Sequence, residues 1–146
     1  MLYVGYKAGP QVGTLRMNVG SVLPMATTSI GHAYLWGLPT AEQKRLIVAL
    51  TGQIDINATA IGDAIRHSFA QLQVSGTCAV LGGHRPGTFG IALPVIVGRR
   101  RVVMGLSCGK ADVRPDLANT RKRIGPVLQT AARNLEHALA DIDETP

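Results

Sequence analysis

The sequence predicts one α+β domain, α/β in the broad sense: a largely antiparallel sheet of about five or six strands with helices packed on it. Three observations lead there. A chain of 146 residues is enough for one core. Runs rich in β-branched and apolar residues gather in two groups, one at the start and one late, with helix-period stretches between and after them. The strands within each group are linked by short glycine-containing turns, which favours antiparallel neighbours over crossovers. No repeat of 20–50 residues and no low-complexity linker divides the chain.

The first 20 residues read as two strands, 2–7 and 13–19, joined by the turn signal Ala8-Gly9-Pro10. A chain that starts directly in a strand reads as a piece of something longer. Residues 21–29 form an irregular segment, after which Ser29 is placed to cap a short helix over 30–36, stopped by Gly37 and Pro39. Thr40-Ala41-Glu42-Gln43 fits a capping box and opens a second helix running to about Leu50. Ile54, Ala58, Ile61, Ala64, Ile65, Phe69 and Leu72 recur every three or four residues, so 57–73 is an amphipathic helix that Gly76 ends. Strands follow at 77–81, 89–97 and 101–107, separated by the Gly82–Gly87 loop and by a tight hairpin at Gly98-Arg99-Arg100. Leu117, Ile124, Leu128, Ala131, Leu135 and Leu139 then mark one stripe of a long helix, in which Pro126 makes a kink or the start of the straight part. The acidic end, 141–146, is expected to fray.

Composition narrows the function. The apolar share of 46% and charged share of 16% are those of a globular protein, with no run of the ~18 apolar residues that a membrane span needs. The N-terminus lacks the pattern of a signal peptide, so the cytoplasm is the expected location. Two cysteines, Cys78 and Cys108, are too few for a disulfide framework and lack the paired spacing of a zinc site; both are expected to be reduced and buried. The net charge is +6, and six of the fifteen Lys and Arg residues stand in two clusters, Arg99-Arg100-Arg101 and Arg121-Lys122-Arg123. Neither cluster has interleaved aromatics or a recognition-helix pattern, which argues against direct nucleic-acid binding by this chain. No cofactor or metal set is legible.

Gly105-Leu106-Ser107-Cys108-Gly109 fits the G-x-S-x-G pattern of a nucleophile elbow. The elbow needs a helix immediately afterwards, and residues 110–116 read as loop. The only histidine after Ser107 is His137, far off on the terminal helix. A small serine hydrolase using Ser107 is therefore the rival reading, and a strand-end hydroxyl turned to a ligand or to the backbone is preferred. Cys78 with His84, or Cys108 with His32, has no spacing that supports nucleophile or metal chemistry. Gly82-Gly83 with Gly87 lacks the Gly-Lys-Ser/Thr of a phosphate loop, and no close carboxylate pair is present for acid–base work. The chain is read as a non-enzyme. What remains is the segment 23–35 beside three strands lined with Val, Ile, Leu, Met, Cys and Ser. An apolar cleft with the free amides of a helix start at Ser29 and Ile30 suits a small organic acid, although an ordinary loop on an ordinary core fits the same residues.

Leu23-Pro24-Met25-Ala26-Thr27-Thr28-Ser29-Ile30-Gly31-His32-Ala33-Tyr34-Leu35 resembles the loop-to-helix signature of the IclR family of bacterial transcription regulators. The similarity continues through Leu38-Pro39-Thr40-Ala41-Glu42, Gly87-Thr88-Phe89-Gly90-Ile91-Ala92-Leu93-Pro94-Val95, Val102-Val103-Met104-Gly105-Leu106-Ser107 and the last helix, covering nearly the whole chain in order. The resemblance implies a GAF-like effector-binding domain over residues 1–146, with the family's N-terminal winged helix-turn-helix absent from this chain. It implies a small organic or aromatic acid as effector, homodimers or homotetramers, and DNA contact only through the missing part. The positions corresponding to the family's effector contacts are Leu15, Leu23, Ser29, Ile30, Val80, Thr88, Gly90, Ser107 and Gly109: backbone amides at Ser29 and Ile30, a hydroxyl at Ser107, and apolar walls from Leu15, Leu23, Ile30 and Val80. Three departures stand out. Ala26 replaces a common His, His32 replaces a common Lys, and Val80-Leu81-Gly82-Gly83 lacks the usual acidic residues. A less polar pocket selects by shape more than by hydrogen bonding.

Overall fold

A computed structural model of the protein describes residues 1–9, 17–52, 57–111, 114 and 116–143. Three helices precede the sheet: α1 (Ser29–Gly37), α2 (Thr40–Thr51) and α3 (Ala58–Ser75). Strands β1 (Cys78–Leu81), β2 (Thr88–Val97) and β3 (Val102–Ala111) follow, and α4 (Leu117–Ala138) closes the order. The strands form a β1-β2-β3 antiparallel sheet in which Val80 pairs with Gly90, Gly90 with Gly109, and Ala92 with Ser107.

That register sorts side chains by size. On one face stand Ala79, Phe89, Ile91, Leu93, Val95 and Val97, which bury against Leu128 and Ala132 of α4. The alternate positions on the other face include the small residues Gly90, Ala92, Gly105, Ser107 and Gly109, with Gly90 paired to Gly109, Ala92 to Ser107 and Pro94 to Gly105, and there α1 lies directly on β2 and β3. Alternation along a strand puts neighbours on opposite faces, so β2 carries a bulky face for the core and a low face that admits a helix at close range. Ala33 of α1 is fully buried there with Ala92, and the fully buried Leu35 packs instead with Ile61 and Ile65 of α3.

Several boundaries differ from expectation for local reasons. Among the described residues the sheet has three strands, not five or six. Residues 2–7 make no strand: Leu2 forms an isolated bridge with Val22, Met1 and Leu23 exchange backbone bonds of 2.8 Å in both directions, and Tyr3 bonds Ser21 and Gly20. Leu2 and Val4 are exposed, and among the described residues no second layer covers them to hold a longer ladder. Most of the 13–19 strand lies outside the described residues, and residues 17–19 are not in a strand. The cap of α1 is Thr28, not Ser29: its hydroxyl accepts from the Gly31 amide at 3.2 Å and donates to the Pro24 carbonyl at 2.6 Å. No capping box forms at Thr40, since Pro39 is the N-cap and Gln43 donates instead to the Leu35 carbonyl at the end of α1. Asn57 caps α3, and Gly76 ends it with a φ of 71°.

Later in the chain, β3 begins at Val102, because Arg101 adopts a left-handed φ of 52° and belongs to the turn. In α4, Ala131 is exposed and Ala132 takes its place in the buried stripe. The helix runs through Pro126, which sits on the exposed side where the freed carbonyl can be solvated. Of the end expected to fray, residues 144–146 lie outside the described residues and 141–143 are held: Ile142 accepts from the Arg99 amide at 3.1 Å, and the Arg99 guanidinium meets Asp141 and Asp143. Cys78 is buried as expected but Cys108 is exposed on β3. No described helix is long and apolar enough to cross a membrane.

Under α1 the fully buried His32 ties three elements. Its Nε2 is 2.8 Å from the Ala26 carbonyl and its Nδ1 is 2.7 Å from the Ser68 hydroxyl of α3. A carbonyl only accepts, so Nε2 carries the proton and Nδ1 accepts from Ser68. The bond explains how His32, one departure from the family signature, is satisfied in the core; at position 26 it uses only the backbone carbonyl. Burial pushes the His32 pKa below its ordinary value, the Ala26 bond opposing that only in part. The native state then resists the proton that the unfolded chain accepts near pH 6.5. Stability is full above that pH and falls as the pH drops from there through the lowered value. Urea midpoints measured between pH 7.5 and 5.5 will decline in the wild type, and the slope will shrink in His32→Gln; an equal slope in both would remove His32 as its source.

Candidate functional site

The segment leading into α1 is held over the low face of the sheet by short contacts at both ends. The Thr27 hydroxyl donates to the Gly83 carbonyl at 2.5 Å, and Thr28 closes the loop onto Pro24. A Cβ on Gly90 would come within 2.5 Å of the Ser29 hydroxyl oxygen, and one on Gly105 within 2.6 Å of the Ile30 side chain. Two glycines on the strands therefore set how deeply the first turn of α1 sinks. With Thr28 as cap, the Gly31 amide is satisfied, while the amides of Ser29 and Ile30 in the first turn have no intrahelical acceptor. They lie at the positive end of the helix dipole.

A hollow of about 80 Å³ opens at that helix start. Leu23, Ser29, Ile30, Val80, Thr88, Gly90, Ser107 and Gly109 all line it, so the structure brings eight of the nine predicted residues together; Leu15 lies outside the described residues. Tyr3, Met17, Thr28, Gly83, His84 and Phe89 complete the wall, and no acidic side chain is among the described lining residues. Beyond the hollow runs a wider groove of about 920 Å³ between residues 1–9 and β3, and the two share Tyr3, Met17, Leu23, Ile30, Ser107 and Gly109.

Sequence reasoning missed Tyr3, whose arrival depends on the backbone pairing of residues 1–3 with 20–23 and has no local signature. The Tyr3 phenol is half-buried, and burial raises its pKa, an effect that the nearby Ser107 hydroxyl opposes in part. Gly105 and the other small residues of β2 and β3 were legible in principle as an alternation of small and large side chains. Ser107 stands inside β3, with Cys108 and Gly109 still paired to Ile91 and Gly90. The G-x-S-x-G match therefore lacks the strand-to-helix turn of a nucleophile elbow. Cys78, whose thiol is pushed up to about 12 chiefly by burial, donates to the Ser29 carbonyl at 3.5 Å, the environment of a structural thiol. Among the described residues no cluster of three or more His, Cys, Asp or Glu is arranged to hold a metal ion.

With this architecture in view, comparison defines the class of protein: a regulator's C-terminal domain of mixed α/β fold. The family model for the bacterial transcriptional regulator IclR C-terminal domain matches residues 1–137, and the chain belongs to that family. Among solved structures, an IclR family transcriptional regulator from Brucella abortus superposes with a TM-score of 0.86 at 24% identity, covering 95% of this chain and 52% of that one. The Thermotoga maritima IclR gives 0.76 at 15% identity, over 94% and 56%. The inducer-binding domain of PobR from Acinetobacter, a double mutant solved with 3-hydroxybenzoic acid, gives 0.62 at 21% identity, over 88% and 74%. The chain spans about half the length of the first of these relatives. No curated protein matches its sequence.

Proposed function

We propose that this chain is the GAF-like effector-sensing domain of an IclR-type regulator, taking a small organic or aromatic acid at the hollow under Ser29. The observation that carries the reading is the convergence of Leu23, Ser29, Ile30, Val80, Thr88, Gly90, Ser107 and Gly109 on one space at the start of α1, where the amides of Ser29 and Ile30 have no intrahelical acceptor. Those amides and the helix dipole favour a carboxylate, and the absence of acidic side chains from the described wall leaves that preference unopposed. Leu23, Ile30 and Val80 supply apolar walls, and the Thr88 and Ser107 hydroxyls orient polar groups. The PobR domain, solved with 3-hydroxybenzoic acid, supports an aromatic acid as one candidate.

Regulation then works by population shift. The effector binds one arrangement of the domain more tightly and biases how paired subunits, as homodimers or homotetramers, present an N-terminal winged helix-turn-helix to DNA in the full-length protein. Thermal melting against a panel of aromatic and short-chain acids tests the sensing step. An effector at 100 times its dissociation constant will add about 2.7 kcal/mol. A melting temperature that no acid moves would leave the domain as an assembly module without a ligand.

A further inference from the structure

The sheet leaves half of β2 without a strand on one flank. β1 pairs only with residues 89–92, so Leu93–Val97 has β3 on one side and no described strand on the other. An open edge of this kind offers its backbone to any strand that arrives, and Leu93-Pro94-Val95-Ile96-Val97 is uncharged, apolar and rich in β-branched residues. Backbone N–H groups alternate sides along a strand; the Ile96 N–H bonds α4 rather than β3, so the donors aimed at the open flank belong to positions 94 and 96. Position 94 is a proline and has none. The Ile96 N–H is taken by Glu136, whose Oε1 accepts it at 2.8 Å. Both donors of the open flank are thereby withdrawn. Glu136 is the one acid among the 22 residues of α4, which also carries Arg121, Lys122, Arg123 and Arg133. Arg133 stands three residues away, at the spacing of a helical ion pair, yet it donates to Thr130 at 3.1 Å. The carboxylate goes to the strand instead.

We propose that Glu136 is an edge guard, and that the partner it holds off is the same stretch of β2 in a second copy of this chain. Identical edges meet antiparallel about a two-fold axis, and with Val95 opposite its counterpart each copy's Ile96 stands across from the other's Pro94. Proline keeps its carbonyl, so every Ile96 N–H finds an acceptor there and the stretch is its own complement. These bonds all depend on the N–H that Glu136 occupies. Without the carboxylate, a half-buried donor is left unpaired, which is costly, and a second edge is what satisfies it.

Hydrogen exchange at the Ile96 amide, read beside sedimentation velocity over a range of protein concentrations, tests this. Glu136→Asp keeps the charge on a side chain one methylene too short, and Glu136→Gln keeps the length and an accepting oxygen without the charge. Glu136→Ala removes the acceptor while favouring the helix, so α4 holds in that variant even if aspartate disturbs it. In dilute Glu136→Ala and Glu136→Asp the Ile96 amide will exchange about tenfold faster than in the wild type, the loss of one hydrogen bond. As the concentration rises, its protection will return while the sedimenting mass doubles. Glu136→Gln will keep the bond and the wild-type mass. The Ile96 N–H lies outside the β3 ladder, so adding Ile96→Pro to Glu136→Ala removes the donor without breaking a ladder bond, and the doubling will vanish. An Ile96 amide that stays unprotected in Glu136→Ala at every concentration, with unchanged mass, would overturn the proposal. So would association of Glu136→Gln, which retains the bond, or a doubling that persists with Ile96→Pro, which would put the new contact elsewhere.

Discussion

Gly31→Ala will cost the domain about 3 kcal/mol, although alanine is the better helix former by ~1 kcal/mol. Gly31 is in the first turn of α1, and a Cβ there would overlap the Met25 carbonyl oxygen and press on its Cα, both backbone atoms with no rotamer to yield. The loop over residues 24–28 must lift. Lifting it strains the Thr28–Pro24 bond, the Thr27–Gly83 bond and the Ala26 carbonyl that satisfies buried His32, so the overlap is resolved at the expense of hydrogen bonds. Urea unfolding followed by circular dichroism will show a midpoint lower by more than about 1 M, given slopes of ~1–3 kcal/mol/M. The same change at Gly62 is the control. There the nearest atom to a new Cβ is the mobile end of Arg66 at 3.4 Å, so Gly62→Ala will stabilise by ~0.5–1 kcal/mol. A Gly31→Ala midpoint equal to the wild type would mean that the loop is free to move and does not fix the helix start.

How far the sequence discloses this arrangement follows from what is local. The helices α1 to α4 and the strands β1 to β3 are written in short-range periodicity, Gly and Pro stops, and capping residues, so their order and type could be read directly. The caps themselves were less legible. Thr28 and Ser29 are chemically equivalent candidates, and which of them leaves the helix is decided by Thr28 reaching Pro24. Gln43 was drawn away from its own helix by the free carbonyls at the end of α1, a tertiary demand that outweighs a local motif. The terminal segment failed for a similar reason: residues 2–7 have strand-like composition, but strand propensity registers only when a neighbour covers the face. As for the site, the resemblance supplied positions that the fold draws together, whereas periodicity alone pointed only to the segment around Ser29. Tyr3 came from neither, because a contact made by backbone pairing 17 to 22 residues apart in sequence leaves no mark on either partner.

Gly90→Val will abolish every acid-induced rise in melting temperature while leaving a folded domain. Gly90 faces the hollow from the middle strand, paired on one side with Val80 and on the other with Gly109. A Cβ at this position would stand 2.5 Å from the Ser29 hydroxyl oxygen, so that side chain must turn, and the two methyl groups of valine enter a space of only about 80 Å³. The carboxylate loses its room and the first turn of α1 is pushed outward from the same direction. The cost to folding is smaller than at Gly31, about 1–2 kcal/mol, for two reasons. The obstacle is the end of a short side chain rather than backbone, and a β-branched residue suits the interior of a strand better than glycine does. The two substitutions thereby separate two roles of the glycines around this helix start: at Gly31 the missing side chain lets the loop close, and at Gly90 it leaves the hollow open. If Gly90→Val still gained about 2.7 kcal/mol from an acid at 100 times the wild-type dissociation constant, that acid would have to lie elsewhere, and the first turn of α1 would lose its claim to the carboxylate.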